Sequence, residues 1–395
     1  MHRVVITSAG AVSPLGTGLS ENMRNLSEGF KGLDAIRNFD TAHFPVTHGG
    51  EARADGEVIR TDAAVDRKAE FIRSAVSEVI ANSQFNAYHP NDRALFLGAG
   101  IDHFNIIGFL DHANANWKDY CERSSIVVED LASKWEMHGG HCTNVSACVA
   151  STQAVGLGYR LIRENPSMAV IAGGFDSMLS PLHYLGFYKL GALSTWEGDP
   201  KESCRPFDKN RCGLVIGEGA AAFLLENEEH AEKDKILAEI VGYASSMDAY
   251  MVTDPHPDGT YLARAAMKAI MQAGITPDEI DCVHSHETGT FRNALSETQA
   301  MKQIFGDRYA DIPVFSLKGQ VGHLIGACGA LELLGVIDSL QYQRVLPTVN
   351  YYERDPDVSV RVVTERPLEM NIRYVLKLNA AFGGQNSALV LKKYE

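Results

Sequence analysis

NVSACVASTQAVGLGYRLI, residues 144–162, runs from an extended stretch into a helix of small residues that closes on Leu161 and Ile162. A cysteine at that junction, Cys148, feels the positive end of the following helix and sits on a tight turn, two influences that favour an accessible thiolate. Read alone, the stretch fits a small thiol packed among alanines at least as well as a nucleophile, since free cysteine is among the most buried residue types. Strand, turn and small-residue helix in succession make one joint of an α/β layer.

The same grammar continues on both sides. Upstream lie VVIT (4–7), a helical pattern from Arg67 to about Ser83 and ALFLGAG (94–100); downstream follow AVIAGGFDSM (169–178) and AAAFLLE (220–226). A charged stretch, ENEEHAEKDK (226–235), reads as a hinge, and beyond it the pattern repeats. IVGYASS (240–246), a helix from Thr260, CVHSHETGT (282–290) and a helix from Asn293 echo the first half, which predicts a two-lobed duplication of one α/β unit, residues 1–235 and 236–395. No period of 20–50 residues recurs, so a solenoid is not expected.

Composition narrows the class. The 395 residues are 45% hydrophobic and 22% charged, enough for a sizeable core. With 50 acidic against 36 basic residues the formal charge is −14, which leaves no global basic field for nucleic acid or anionic lipid. The opening MHRVVITSAGAVSPLG reads as strand and turn, not a signal peptide, and no uncharged apolar run reaches 18 residues. A soluble cytoplasmic protein is expected. Seven cysteines without a C-x-x-C pair argue for reduced thiols over a disulfide or zinc scaffold.

Three further clusters hold chemistry-bearing residues. In CVHSHETGTFRN (282–293), His286 ends a strand beside the turn of Thr288, Gly289 and Thr290; His284 on the same strand face raises a two-histidine metal site as a competing idea, against which no carboxylate or cysteine stands at ligand spacing. In FSLKGQVGHLIGACGALELL (315–334), Lys318 and His323 flank a glycine turn before an apolar helix, where they serve a cavity or, for Lys318, reach solvent. In LNAAFGGQNSALVL (378–391), Gly383 and Gly384 offer backbone N–H groups to an anion, or simply turn a hairpin.

Together and in this order, SACVAST with Cys148, HETGT with His286, SLKGQVGHLIGACGALE with Lys318 and His323, and AFGGQN with Phe382 resemble the β-ketoacyl-acyl-carrier-protein synthases of the thiolase fold, nearest the elongating synthase II type. The resemblance spans nearly the whole chain. It implies a duplicated five-layer αβαβα fold and a decarboxylative condensation between an acyl chain on Cys148 and a malonyl thioester, with His286 and His323 as neutral donors. It further implies that Lys318 and Glu332 organise the site, that the Cys148 and Phe382 N–H groups form an oxyanion hole, and that Thr288 and Thr290 meet the pantetheine arm. No metal or organic cofactor is implied. The implied partners are an acidic acyl carrier protein, docked on basic residues such as Arg67, Lys68, Arg205, Lys209 and Arg211, and a second subunit, identical or ketosynthase-like.

Departures bound the substrate. Glu287 replaces the usual glycine after the first histidine, where an inward carboxylate would raise the pKa of His286, and Ala380-Ala381 replaces the usual Phe-Gly before the gating Phe382. Residues 101–141, which in the family line the acyl tunnel and the subunit interface, are unfamiliar, and their Trp117, Tyr120 and Trp135 raise the idea of an unsaturated or aryl-capped chain. Two relatives of the fold remain as alternatives: the chain-length-factor partner, which lacks the nucleophile, and thiolase, which needs a second cysteine near the C-terminus.

Overall fold

A computed structural model describes residues 2–60, 66–112 and 116–395. The first half contributes β1 (Val4–Ser13), α1 (Arg67–Ala81), β2 (Arg93–Ala99), α2 (Ser124–Lys134), β3 (His141–Asn144), α3 (Ala150–Glu164), β4 (Ala169–Ser177) and β5 (Glu218–Asn227). The second contributes β6 (Ala238–Met247), α4 (Thr260–Gln272), β7 (Cys282–His284), α5 (Phe291–Phe305), β8 (Pro313–Phe315), α6 (Cys328–Tyr342), β9 (Tyr374–Ala380) and β10 (Gln385–Lys392). These strands lie in the order β3-β2-β4-β5-β1-β6-β10-β9-β7-β8.

That order is a palindrome. Reading outward from the β1–β6 seam, each half places its first strand, then its fifth, fourth, second and third. The pairing sense agrees: β2 is parallel to β3 and β4, β7 is parallel to β8 and β9, and the fifth strand of each half is antiparallel to its neighbours. The seam itself is short, joining Val4–Ile6 to Ala238–Ile240. Two sheets with the same five-strand core, extended by the short strands Gly16–Thr17 on β1 and Arg361–Val362 on β8, thus fold over one another, with α3 and α6 between them, each touching both sheets, while α1 and α2 cover one outer face and α4 and α5 the other.

Three apolar cores fill the four gaps of this αβαβα stack. One packs α1 and α2 on the first sheet and one packs α4 and α5 on the second. The third and largest surrounds α3 and α6 and draws residues from both halves, Val4, Val155, Ile240 and Leu334 among them. Strands of the inner sheets are buried on both faces and are accordingly continuous in apolar residues; all ten residues of β1 are buried. Because the central core is shared, the charged stretch expected as a hinge is only a connection between β5 and β6, held by the Leu237 N–H bond to the Ile6 carbonyl.

The inner helices are made of small residues because the sheets approach them closely. A Cβ on Gly98 of β2 would lie 2.2 Å from the Ser151 nitrogen of α3, and one on Gly156 of α3 would lie 2.3 Å from the Tyr243 ring of β6. Those two glycines set the depth at which the N-terminal end of α3, and hence Cys148, is held.

Candidate active site

Cys148 is presented by a strained elbow. Ala147 has φ of +50°, in the left-handed region that non-glycine residues seldom occupy, and the 3₁₀ turn Ala147–Val149 feeds directly into α3. Strain of this kind persists where the surroundings enforce it and is common at reactive centres. The Cys148 side chain is buried, and the Cys328 thiol at the start of α6 donates to its carbonyl at 3.1 Å.

Burial decides the state of the sulfur. It pushes the Cys148 thiol up to about 12, while the Phe382 N–H aimed at the sulfur and the Lys318 charge pull the other way without winning. The resting group is therefore a thiol, and the thiolate expected from the helix end alone is overruled by desolvation. His323 Nε2 lies 3.0 Å from its Sγ. The His286 ring stands edge-on to that of His323, with centroids 5.2 Å apart and planes at 80°. The ligating atoms of Cys148, His286 and His323 all fall within 4.8 Å of one another.

Both imidazoles are neutral. Burial, then the neighbouring Lys318 charge, lowers His286 well below the ordinary histidine value and His323 to about 3. The Nδ1 of His323 is buried with no partner among the described residues, whereas that of His286 receives the Lys318 Nζ at 3.4 Å and the Asn379 Nδ2 at 3.2 Å. Lys318 also donates to the His286 carbonyl and to Glu332, whose second oxygen accepts from Lys377 at 3.2 Å and Asn379 at 2.8 Å. Glu332 is held well below the ordinary carboxylate range by its two lysines in spite of its burial.

Two cavity arms meet at Cys148, His323, Leu214 and Phe382. One, of about 50 Å³, is lined by His286, Thr253, Thr288, Thr290 and Asn293; the hydroxyls of Thr288 and Thr290 are 2.9 Å apart. The other, of about 170 Å³, is apolar, bounded by Gly100, Ile101, Val145, Met178, Phe187 and Ile325, with Phe187 stacked on Phe382 at 6.4 Å. An arm that carries histidine and threonine side chains and an almost wholly apolar arm converge on one sulfur.

Several expectations change. Glu287 does not face the cavity: its carboxylate accepts from the N–H groups of Phe207 and Gly289, each at 3.2 Å, and from Asn293, and the leading influences on His286 are burial and other charges, Lys318 foremost. Burial raises Glu287, and burial with the Glu287 charge raises Glu297 to about 8; Glu297 in turn accepts from the His286 and Glu287 N–H groups at 2.7 and 2.8 Å. Gly383 and Gly384 turn the β9–β10 hairpin with φ of +82° and +76°, and their N–H groups are taken by the Val252 and Ala381 carbonyls, so neither is free to bind an anion. His284 packs edge-on to Phe315 and joins no metal-like cluster among the described residues.

The basic docking patch dissolves as well. Arg67 is buried against Glu218 at 2.7 Å, Lys68 caps the Ile101 carbonyl, Arg205 stacks on Trp196 at 3.6 Å and Arg211 is paired with Asp355 at 2.6 Å. Of the five only Lys209 is exposed, and it pairs with Glu353. Nor do the aromatic residues of 101–141 line the apolar arm: Trp117 is exposed, Tyr120 packs on Phe109, and Trp135 packs on the outer core. Thiolase chemistry finds no base in Cys328, which lines neither arm and whose thiol burial raises well above its ordinary value.

The residues not anticipated are Lys377, Asn379, Glu297 and Thr253. Lys377 and Asn379 alternate with Leu376 and Leu378 along β9, so one face of the strand is polar and, because the strand is internal, that face had to be buried.

The N-terminal domain model of beta-ketoacyl synthases matches residues 1–231, and the C-terminal domain model matches residues 237–352. The chain belongs to the beta-ketoacyl synthase family. Curated relatives of this ketosynthase-family chain include the 3-oxoacyl-[acyl-carrier-protein] synthase 2 of Synechocystis sp., 32% identical over 100% of this chain and 98% of that one, and the same-named protein of Coxiella burnetii, 32% identical over 99% of each. Among solved structures, a type II polyketide acyl-carrier protein in complex with its ketosynthase, bound to the hexaketide, superposes with a TM-score of 0.89 at 25% identity, and the ishigamide ketosynthase/chain length factor with 0.87 at 28%, each over 100% of both chains. The thiolase fold and its duplicated layers are those of this family.

Proposed function

We propose that the protein is an elongating ketosynthase: it takes an acyl group from a carrier-bound thioester onto Cys148 and condenses it with a malonyl thioester. The meeting of an arm bearing His286, Thr288 and Thr290 with an apolar arm at a sulfur 3.0 Å from His323 carries this reading. In the first half-reaction Sγ attacks the thioester carbonyl, the carrier's C–S bond breaks, and the thiol proton goes to the departing pantetheine sulfur. His323 Nε2–H steadies the sulfur as charge develops, and the Cys148 and Phe382 N–H groups receive the carbonyl oxygen.

In the second half-reaction the malonyl thioester carbonyl accepts from His286 and His323. The bond to its carboxylate breaks, carbon dioxide leaves, and the electron pair it leaves behind attacks the acyl carbonyl; the new C–C bond forms as the C–S bond to Cys148 breaks, and the sulfur, released as thiolate, takes up a proton from solvent. Donors aimed at charge that exists only in the transition state are commonly the largest catalytic contribution. Lys318 and Glu332 position His286, and Thr288 and Thr290 face the pantetheine amides. Nothing in these steps draws on a metal or organic cofactor.

An acyl carrier protein delivers both substrates, and a second subunit completes the acyl site. The latter is supported by Ile101 and Val145, which bound the apolar arm yet are 53% and 60% exposed in the single chain, and by β3, which ends the sheet with no partner beyond it among the described residues. The subunit is a second copy or a ketosynthase-like chain, in fatty acid or polyketide-type synthesis. No helix among the described residues is long and apolar enough to cross a membrane, which fits a cytoplasmic enzyme. Mass spectrometry of the Cys148 peptide after incubation with saturated and polyunsaturated acyl carriers tests the assignment; the expected result is an acyl adduct on Cys148, and failure of every carrier to load overturns it.

A further inference from the structure

We infer that Lys377 is a positioning residue that fixes the Asn379 amide and, through it, the tautomer of His286. An asparagine amide has an acceptor end and a donor end, and only its partners say which is which. Asn379 Oδ1 receives the Lys377 ammonium and, at 2.7 Å, the Thr152 hydroxyl. Its Nδ2 lies 2.8 Å from Glu332 Oε2 and 3.2 Å from His286 Nδ1. Turned over, the amide would set an oxygen against the carboxylate and an N–H₂ against the ammonium. Lys377 and Glu332 therefore impose one orientation from opposite ends.

With the donor end at His286, Nδ1 must accept; the Lys318 Nζ, 3.4 Å away and already donating to the His286 carbonyl and Glu332, is the weaker donor there. The ring proton is forced onto Nε2, on the side that lines the cavity with Cys148 and His323. His323 has no such wiring, its Nδ1 being buried without a partner among the described residues. His284, beside Lys377 in the β7–β9 register, packs on Phe315 and does not compete for the amide. Lys377 thus acts two bonds removed from the chemistry, by making one histidine a standing Nε2–H donor.

The kinetic consequence rests on the ketosynthase reading; the tautomer does not. Long-range ¹H–¹⁵N spectra of histidine-labelled protein at neutral pH are expected to show His286 as the Nε2–H form in the wild type, and a mixture containing the Nδ1–H form in Lys377→Met and in Asn379→Ser. Lys377→Gln keeps a donor for Asn379 Oδ1 and should restore the wild-type pattern, also serving if the methionine variant fails to fold. Malonyl-thioester decarboxylation should fall in kcat by on the order of 10-fold in Lys377→Met, short of the roughly 10²–10³ for loss of a donor outright, with KM little changed. A pure Nε2–H signal in both Lys377→Met and Asn379→Ser overturns the inference. Absence of decarboxylation by the wild type would sink the ketosynthase reading and leave the spectra to decide this one.

Discussion

Each half of the molecule builds the same elbow, and only one carries a nucleophile. In the first, Ala147 at φ +50° precedes Cys148, a 3₁₀ turn spans 147–149 and the 15-residue α3 begins at Ala150. In the second, Ile325 at φ +44° precedes Gly326, a 3₁₀ turn spans 325–327 and the 15-residue α6 begins at Cys328. At the position equivalent to the sulfur the second half has a hydrogen, since a Cβ on Gly326 would lie 2.4 Å from the Gly100 nitrogen. Gly326 also donates its N–H to Asp176 at 2.7 Å. Duplication supplied the strained turn twice; one copy became a nucleophile and the other a close backbone contact with Ala99 and Gly100 at the end of β2, with Ile325 forming a wall of the acyl arm.

The largest effect should follow from removing what makes the elbows differ. Cys148→Ala is expected to abolish condensation, a loss on the order of 10⁴-fold or more as for other covalent nucleophiles. Malonyl-thioester decarboxylation should survive, because its donors are the two histidines and the sulfur takes no part. Parallel assays of product and of released carbon dioxide check this. Loss of both activities together would mean that Cys148 also holds the malonyl site in shape.

A second, smaller effect concerns how the sulfur is tuned. The helix end favours thiolate and burial opposes it, and burial prevails by pushing the thiol up to about 12. An ordinary thiol, near 8.5, has its alkylation rate level off above that pH. For Cys148 the logarithm of the iodoacetamide rate should instead climb by about one per pH unit from pH 7 to 10, because the thiolate fraction is still growing tenfold per unit. Stopped-time mass spectrometry of the Cys148 peptide reads it. Levelling below pH 8 would show that the helix end and the Phe382 N–H outweigh desolvation.

Much of this comparison is legible in the amino-acid sequence. The alternation of apolar runs and small-residue helices shows the duplication, and ordered motifs bring Cys148, His286, Lys318, His323, Glu332 and Phe382 to one centre. Side-chain direction at polar positions in apolar surroundings is not legible there. Glu287 sits next to His286 in sequence yet turns to the Phe207 and Gly289 N–H groups, because a carboxylate follows its donors and not its neighbour. Arg67, Lys68, Arg205 and Arg211 look like surface charge in sequence, but burial turns them to partners within the fold, and some of these lie far along the chain, as Glu218 does from Arg67. Lys377 and Asn379 show only as a period of two on β9, a signal that becomes functional once the strand is known to be internal.

The smallest effects separate the elbows by stability. Gly326→Ala inserts a methyl group against the Gly100 nitrogen and, at 2.5 Å, the Ala99 carbonyl carbon. Backbone cannot swing aside as a flexible side chain does, so the cost should fall near or above the upper end of the usual overpacking range, about 3 kcal/mol. Ala147→Gly does the opposite at the partner turn. It relieves a left-handed alanine, worth about 1 kcal/mol, but adds freedom to the unfolded chain, which takes back a comparable amount. Thermal unfolding should therefore show a large drop for Gly326→Ala and almost none for Ala147→Gly. If Ala147→Gly is equally destabilising, the strain at the nucleophile turn is compensated by contacts of the Ala147 methyl itself, and the two elbows are alike in shape but not in what holds them.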